Sequence, residues 1–563
     1  MWAAPLSAQE TTGAAPVAPA NQPQRAPDTF PIYAIDVTGA TRLSAAELER
    51  VVYPYTGPDR SNVDVEAARK AIADAYVAKG YEAVIVESPL QQPELFNAGV
   101  ITIAVTESPV GKVQVVGARF HSEAVIRRQL PSVVEGEPLD FRALQTEFSA
   151  LDRFADRKVD FVPKAGEVAG TTDVDLVVKD SFPLHATFEL NNDSSANTRP
   201  LRLSGSARYT DMWKLGHTLQ ANFILAPQRQ SDSSLVAASY TAPILGSPWT
   251  LSVNGYRSNS NIAALGGSNV LGKGYQIGVR AGLRLPARDT SQSVGFAVDY
   301  KDFEQDVIIS GGSVGQTPIR YLPVTVDYSV FGSDADSGFA KKVGNATFGV
   351  NASATLGFRV IKRQLCLETT GGLSQVVDRA NCGSGPNFEQ NDQFTVGGQF
   401  SSENFVHFNV GFNYSLATSS DFVATTSWNM QVSSVHLVTN EQFSAGGRSS
   451  VRGYLESEAV GDQGFFSTFE LAGPSFAPYL GKFVDELRLY AFSDSGYVRT
   501  LSVLPGTENT ARLLSVGGGA RLKVFNRLYG EVLVGWPLVT ASSAATATPK
   551  GEPRTLFVVR GEF

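Results

Sequence analysis

The sequence predicts two small α+β domains followed by a 16-stranded antiparallel β-barrel that crosses a membrane. A segment near the amino terminus is repeated once, strands of about ten residues with alternating polarity fill the remainder, and short and long connections alternate between them. We expect a signal remnant and Pro/Ala-rich linker over 1–31, the first α+β domain over 32–107, the second over 108–181, and the barrel over 182–563.

The composition agrees with a membrane barrel and excludes several other classes. Charged residues make up 18% of the 563 residues, which is below the roughly 25% of soluble domains. No window approaches the run of about 18 apolar residues that a membrane helix needs. Barrel strands instead alternate, which gives neutral average hydropathy, and the mean value here is -0.07. The net charge of -8 argues against a general nucleic-acid partner.

The first 31 residues have the composition of a processed or flexible segment. We interpret Met1 to Ala8 as the remnant of an export signal, because a basic start and a complete apolar stretch are both missing. The stretch from Gln9 to Pro31 is rich in Ala, Pro, Gln and Thr and cannot bury a core. We therefore expect a flexible tether there.

The repeat over 32–181 has the order β-α-α-β-β twice, with a period of about 76 residues. In both copies a Gly-Ala turn at Gly39 or Gly117 precedes a serine, Ser44 or Ser122, that is expected to cap a helix. This order resembles the POTRA domain of outer-membrane assembly and secretion proteins. The resemblance implies a periplasmic location and a sheet edge that accepts an extended peptide as an added strand. The alternative is two ordinary α+β modules with no peptide-binding role.

The barrel is predicted from period-two alternation after Asp180. In HTLQANFILA, for example, Leu219 and Phe223 share one face and Gln220 the other, as a lipid-facing strand with a wet lumen requires. A soluble sandwich also alternates, so the connections are needed to decide. The candidate strands begin near Leu184, Leu201, His217, Ser234, Trp249, Gly272, Gln292, Val324, Lys341, Phe405, Phe422, Gln463, Leu487, Arg512, Leu528 and Pro553.

Short and long connections alternate along these strands, as in outer-membrane barrels. Asn526–Arg527 is a short one, whereas we expect long outer loops at Ser260–Leu271, Asp306–Pro323 and Phe358–Asn404. The chain ends RTLFVVRGEF, and its terminal Phe563 resembles the signal that delivers such proteins to the barrel-assembly machinery.

The two cysteines of the chain, Cys366 and Cys382, both fall in the third long outer loop. In an oxidising exterior they could close a loop disulfide, and two unpaired thiols are the alternative.

Two motifs carry the functional interpretation. The segment 442–466 is predicted to be an outer loop, yet it is rich in Gly and contains Arg452, Gly453 and Tyr454. A later strand holds an F-x-D-x-G motif at Phe492, Asp494 and Gly496, and its period turns these three residues toward the lumen. A carboxylate buried there needs a cationic partner. The alternative is a solvated loop arginine and an aspartate that caps a turn.

V-R-G-Y in an outer loop together with F-x-D-x-G in a later strand resembles the superfamily of POTRA-barrel outer-membrane proteins. Two POTRA-like repeats and about 16 strands narrow the resemblance to two-partner secretion transporters of the haemolysin activator and filamentous-haemagglutinin transporter type. The resemblance implies that the loop 442–466 folds into the barrel, where Arg452 pairs with Asp494. It also implies that exchanging these two charges recovers part of the export that either single reversal removes.

The resemblance further implies protein secretion across a Gram-negative outer membrane, with no cofactor. The partners would be a secreted exoprotein with an amino-terminal secretion domain, outer-membrane lipid, and the barrel-assembly machinery during biogenesis. The alternatives are an insertase that assembles other barrels and a passive porin. The sequence contains no constellation that indicates an enzyme or a metal site, because its five His are isolated from one another.

Overall fold

The structure, a computed structural model, describes residues 29–563 except 152–155, 245, 266–267, 288–289, 310–311, 334–343, 359, 362–363, 371–372, 378–387, 395–400, 402–403, 503–507 and 542–546. The predicted signal remnant and almost all of the predicted linker therefore lie outside the described residues. The described residues form two compact units: the first comprises 29–116, 130–151 and 159–178, and the second comprises 117–129, 156–158 and the described residues from 179 to 563.

The first α+β domain has a three-stranded sheet in the order β2-β5-β4, in which β2 runs parallel to β5. Its helix α1 begins where predicted, because the Ser44 N–H donates to Glu47 Oε2 (2.9 Å) and the Ser44 side chain faces the Glu47 N–H in a capping box. The elements are β1 (Phe30–Ile32), β2 (Ala34–Thr38), α1 (Ala45–Val52), β3 (Gly57–Arg60), α2 (Asn62–Ala78), β4 (Val84–Glu87), α3 (Pro93–Asn97) and β5 (Val100–Glu107).

The next module repeats the same order, and its sheet runs β6-β8-β7 with β6 parallel to β8. Ser122 occupies the N-cap of α4, but its side chain makes no capping hydrogen bond, which corrects the expected cap. The N–H groups of Phe120 and His121, which lie just before the N-cap, donate to Asp180 Oδ2 at 2.8 and 3.1 Å. The elements are β6 (Val110–Val116), α4 (Glu123–Arg128), α5 (Phe141–Leu151), β7 (Arg157–Ala165) and β8 (Thr172–Asp180).

The remaining chain forms a closed antiparallel barrel. The strands are β9 (Leu184–Asn191), β10 (Arg202–Met212), β11 (His217–Leu225), β12 (Ser234–Pro243), β13 (Trp249–Leu265), β14 (Ser268–Leu285), β15 (Thr290–Ile309), β16 (Gly312–Ser333), β17 (Gly344–Phe358), β18 (Gln364–Thr370), β19 (Leu373–Val377), β20 (Phe388–Asp392), β21 (Phe405–Thr418), β22 (Val423–Ser433), β23 (Phe443–Ala445), β24 (Ala459–Gly461), β25 (Gln463–Ala472), β26 (Val484–Arg499), β27 (Thr510–Val524), β28 (Leu528–Pro537) and β29 (Arg554–Glu562). Sixteen of them, β9–β17, β21, β22 and β25–β29, close the barrel where β29 pairs with β9, which confirms the predicted strand number.

Two of the long outer loops predicted from the sequence are strands instead. The described residues of Ser260–Leu271 belong to β13 and β14, and those of Asp306–Pro323 belong to β15 and β16. Polar and apolar residues alternate less regularly in these two segments than in the rest of the strands. Each segment still has a neighbouring strand with which its backbone pairs, so the ladders continue.

The barrel wall has the polarity that the alternation predicts. Outward-facing apolar side chains such as Val253, Ile277 and Trp428 remain exposed on the protein's own surface, which suits lipid contact. Inward-facing polar residues such as Asp494 and Glu531 are buried. In the described part of the chain, no helix has both the length and the apolar character needed to cross a membrane.

The third long connection, between β17 and β21, contains a small sheet in the order β19-β18-β20. Cys366 lies fully buried on β18. Cys382 lies outside the described residues, so its pairing with Cys366 stays a prediction.

Candidate functional site in the barrel lumen

The connection between β22 and β25 turns back into the barrel. It is a hairpin in which β23 pairs with β24, with Phe443 opposite Gly461 and Ala445 opposite Ala459. Its residues are buried like a protein core: Val451 is 0% and Tyr454 1% exposed. We call residues 434–462 the inward loop; the last four residues of the predicted segment 442–466 belong to the barrel strand β25.

The tip of the inward loop approaches the wall backbone to backbone. Gly453 has a φ of +95°, and a Cβ on it would come within 3.1 Å of the carbonyl carbon of Gly535 on β28. A Cβ on Gly535 would in turn lie 2.8 Å from the Cα of Gly453. Glycine is therefore required at both positions, because side chains would separate the loop from the wall.

Arg452 and Asp494 form a bidentate ion pair. Arg452 donates from Nε to Asp494 Oδ2 and from Nη2 to Asp494 Oδ1, each at 2.8 Å, and its backbone N–H also donates to Oδ2 at 2.9 Å. The guanidinium lies 3.8 Å from the centre of the Phe492 ring. The pair is buried, with Arg452 6% and Asp494 1% exposed. Two of the three residues of the F-x-D-x-G motif thus contact Arg452 directly.

The ion pair belongs to a larger charge network on the inner wall. Arg452 Nη1 donates to Glu470 Oε2 on β25 at 2.5 Å. Glu470 also accepts from Arg521 on β27, which in turn donates to Glu531 Oε1 on β28 at 2.8 Å. Carboxylates and cations thus alternate along this series of contacts, which spans four adjacent strands. Such alternation compensates each buried charge, which is the condition for keeping it out of water.

Tyr454 and Gly496 complete the contact between the motifs. The Tyr454 hydroxyl donates to the carbonyl oxygen of Val539 (2.7 Å) and accepts the N–H of Leu514 (3.1 Å). Its ring belongs to an apolar cluster with Val451. Gly496 leaves room for this cluster, because a Cβ there would lie 3.0 Å from a Val451 methyl.

A second anchor holds the base of the inward loop, and no sequence motif pointed to it. Glu441 Oε1 accepts from Lys301 Nζ (2.6 Å) and from the Tyr321 hydroxyl (2.8 Å), and Oε2 lies 3.2 Å from His407 Nε2. Gln431 Nε2 donates to the Glu441 carbonyl at 2.9 Å. These partners stand on four strands and are far apart in sequence, so no local spacing could have identified them.

The two ends of the inward loop are tied together by Asp462. Its carboxylate lies 2.9 Å from His436 Nδ1, and it accepts the backbone N–H of Leu437 at 2.9 Å and that of Leu501 at 2.7 Å. Leu437 is itself buried in an apolar cluster against the wall, where it packs with Phe303 among others. The base is thus held by both hydrogen bonds and apolar packing.

The last predicted site residue, Phe563, lies at the point where the barrel closes. Its N–H donates to the carbonyl of Ala186 (2.9 Å) and its carbonyl accepts the Ala186 N–H (3.0 Å). The ring is 65% exposed and lies next to Phe188. Among the described residues, no three His, Cys, Asp or Glu side chains are grouped so that they could hold a metal ion.

Comparison with known proteins identifies the family. A family model described as haemolysin secretion/activation protein ShlB/FhaC/HecB matches residues 170–522, and a model of the ShlB-type POTRA domain matches residues 30–108. The outer membrane transporter CdiB of Escherichia coli is 24% identical over 515 residues, which cover 91% of this chain and 79% of that protein.

Two solved structures share the fold. CdiB from Escherichia coli aligns with a TM-score of 0.64 at 18% identity, covering 98% of this chain and 93% of that one. CdiB from Acinetobacter baumannii aligns with a TM-score of 0.58 at 15% identity, covering 96% and 91%. The first family model alone covers more than half of the sequence, and it includes both motifs. The chain therefore belongs to the haemolysin secretion/activation family ShlB/FhaC/HecB, as the two motifs predicted.

Proposed function

We propose that the chain is the outer-membrane transporter of a two-partner, type V secretion system and exports one cognate exoprotein through its barrel. The match of residues 170–522 to the haemolysin secretion/activation family carries this proposal. The inward loop agrees with it, because a lumen that is filled by a displaceable segment suits regulated passage. The barrel lies in the outer membrane of a Gram-negative cell, and the POTRA domain lies in the periplasm.

Capture of the exoprotein would begin at the periplasmic sheets. The order β2-β5-β4 leaves β2 and β4 at the edges of the first sheet, and an extended segment can pair with such an edge. The module over 108–181 would be a second POTRA domain, since its order of elements and its parallel first and last strands are the same. The recognised segment would be the amino-terminal secretion domain of the exoprotein.

Passage through the barrel would require the inward loop to leave the lumen. Arg452 and Asp494 act in this proposal as a latch, because the bidentate pair holds the tip against β26. An ion pair at the tip of a movable segment can hold that segment in one of two discrete positions. The exported chain would then pass outward as a hairpin. With no nucleotide in the periplasm, its folding outside the cell would supply the driving force.

The remaining partners act on the barrel itself. Its outward apolar face would contact outer-membrane lipid, and the strand that ends at Phe563 would be recognised by the barrel-assembly machinery. Residues 1–31 would be the signal remnant and tether. The family match favours the transporter over the insertase and the passive porin, and the family is one of transporters rather than enzymes.

The test is a deletion strain, compared with its complemented parent, in which both the culture supernatant and the outer membrane are measured by mass spectrometry. We expect one large exoprotein to disappear from the supernatant while other outer-membrane barrels keep their abundance. A broad fall in many barrels would contradict the proposal and indicate an assembly factor instead.

A further inference from the structure

The barrel closes through its shortest described ladder. Strands β9 and β29 share five residue pairs, from Thr187 opposite Glu562 to Asn191 opposite Val558. The two flanking ladders, β9 with β10 and β28 with β29, have eight pairs each. We call the ladder between β9 and β29 the seam. With the fewest backbone pairs, the seam gains most from additional contacts.

Side chains take over where the seam ladder ends. Asn192 Nδ2 donates to the carbonyl oxygen of Thr555 at 2.8 Å, and Asn192 Oδ1 accepts the N–H of Phe557 at 2.8 Å. These contacts lie at the carboxyl-terminal end of β9 and the amino-terminal part of β29. The amide side chain of Asn192 continues the join between the first and last strands by one further step.

The inward loop reaches the same end of the seam through Arg448. Its Nη2 donates to the carbonyl oxygen of Phe557 on β29 at 2.7 Å and to Asp193 Oδ1, just beyond β9, at 2.9 Å. Nε donates to Asp193 Oδ1 as well, at 3.1 Å. One guanidinium therefore joins the two sides of the seam. The loop adds a further bond, from the Glu456 N–H to the carbonyl of Ser194 at 3.0 Å.

Several carboxylates surround the Arg448 guanidinium, and they depend on its positive charge. Asp193 and Glu531 both face the guanidinium, and Glu456 accepts the Arg448 backbone N–H at 2.8 Å. Without the cation, these carboxylates would repel one another beside the seam. A cavity of about 190 Å³ borders Asp193, Glu456 and Arg448. Water can enter such a space, so a variant at Arg448 is expected to fold.

We propose that Arg448 is a positioning residue that staples the seam, so that the place of the inward loop controls how firmly the barrel is closed. While the loop fills the lumen, Arg448 holds the end of β9 to β29. When the loop leaves, the staple leaves with it, and the wall loosens as the lumen empties. The purpose of this coupling, a wider exit for a polypeptide hairpin, rests on the proposed export function. The coupling itself does not.

The test is hydrogen exchange, followed by mass spectrometry, on the full-length protein in lipid nanodiscs. In Arg448→Gln, we expect exchange in peptides over 186–194 and 554–563 to rise by about tenfold, because hydrogen bonds to a charged group are lost. Arg448→Lys should give a smaller rise because it keeps the positive charge beside Asp193, although an ammonium group cannot span both partners as a guanidinium does. The peptide over 405–418, on another part of the wall, should not change.

Three further variants separate the staple from general stability. Arg488→Gln is the control, since Arg488 pairs with Asp421 and Glu486 away from the seam, and it should leave seam exchange unaltered. Asp193→Asn removes the charge that Arg448 binds and should also raise seam exchange. It replaces Arg448→Gln in the test if that variant does not fold. Asp494→Asn loosens the loop without touching the seam and should raise seam exchange too.

Several outcomes would overturn the proposal. One is unchanged seam exchange in folded Arg448→Gln, or in Asp193→Asn where Arg448→Gln does not fold. Another is a uniform rise in all peptides, which would indicate a merely stabilising residue. A rise in Arg448→Gln without one in Asp494→Asn would remove the coupling to loop position. None of these measurements involves an exoprotein, so failure of the export function would be seen separately, in the supernatant of the deletion strain.

Discussion

The tip and the base of the inward loop are held by different kinds of interaction. At the tip, Arg452 is bound by two carboxylates, Asp494 and Glu470, and the backbones of two glycines touch. At the base, Glu441 is bound by one lysine, a tyrosine and a histidine beside an apolar cluster. Opening the tip separates several charges at once, whereas the base can lose one charge and keep its packing. We therefore expect the tip to control opening and the base to limit how far the loop travels.

The largest effect is expected from reversing a charge at the tip. Asp494→Arg and Arg452→Asp each leave buried charges uncompensated, at a cost of about 3–5 kcal/mol. Both should displace the loop, raise single-channel conductance in planar bilayers and cripple export. The control is Asp327→Arg, which breaks a more exposed pair with Arg280 between wall strands β14 and β16, away from the inward loop. Normal export and conductance in both tip variants would remove the latch from the proposed function.

The double exchange of the two tip charges sharpens this prediction. From the sequence alone, swapping Arg452 and Asp494 should recover part of the export. In the structure, Arg452→Asp also sets a carboxylate against Glu470, and Asp494→Arg removes the acceptor of the Arg452 N–H. We therefore expect recovery to be small, and to improve when Glu470→Gln is added. Full recovery by the double exchange alone would mean that Glu470 contributes little.

A smaller effect is expected at the base. Glu441→Gln keeps acceptors for Lys301 and the Tyr321 hydroxyl but removes the charge, a loss of about 1–3 kcal/mol. The single-channel current should switch more often between conductance levels as the loop moves further, while export is largely retained. The measurement is the open-state lifetime in planar bilayers, with Glu441→Ala as the more severe variant. Loss of export as complete as in Asp494→Arg would show that base and tip act alike.

The smallest effect is expected from Tyr454→Phe. The ring stays in its apolar cluster, but the bonds to Val539 and Leu514 are lost, which costs about 1 kcal/mol. Thermal unfolding, followed by the change of mobility in SDS gels, should begin at a slightly lower temperature, with export near normal. Tyr454→Ala should be clearly worse. Equal behaviour of the two variants would place the contribution of Tyr454 in its hydroxyl alone.

The sequence allowed most of the barrel to be predicted, because lipid on one side and water on the other impose period two on every strand. The starts at Leu184, Ser234, Trp249 and Phe405 coincide with those of the structure. The prediction of a long outer loop over Asp306–Pro323 was wrong, and this segment contains Pro318 and Pro323. Proline cannot donate to a ladder and argues against a strand, yet both lie within β16.

The candidate site was only partly visible in the sequence. Arg452 and Asp494 stand in motifs of a few residues each, and a known family carries both. Glu441 and Arg448 have no such context, because their partners lie on several separate strands, in the case of Arg448 more than 80 residues away. Only the closure of the barrel brings these groups together, so a pattern along one chain could not have revealed them.

The order of synthesis has a consequence for how the channel becomes plugged. The inward loop is made before β28 and β29, yet Gly453 touches Gly535 and Arg448 binds the carbonyl of Phe557. The surface that receives the loop does not exist until the final hairpin has entered the membrane. We therefore expect the loop to dock only when the last hairpin completes the wall, so that barrel closure and plugging are linked steps of biogenesis.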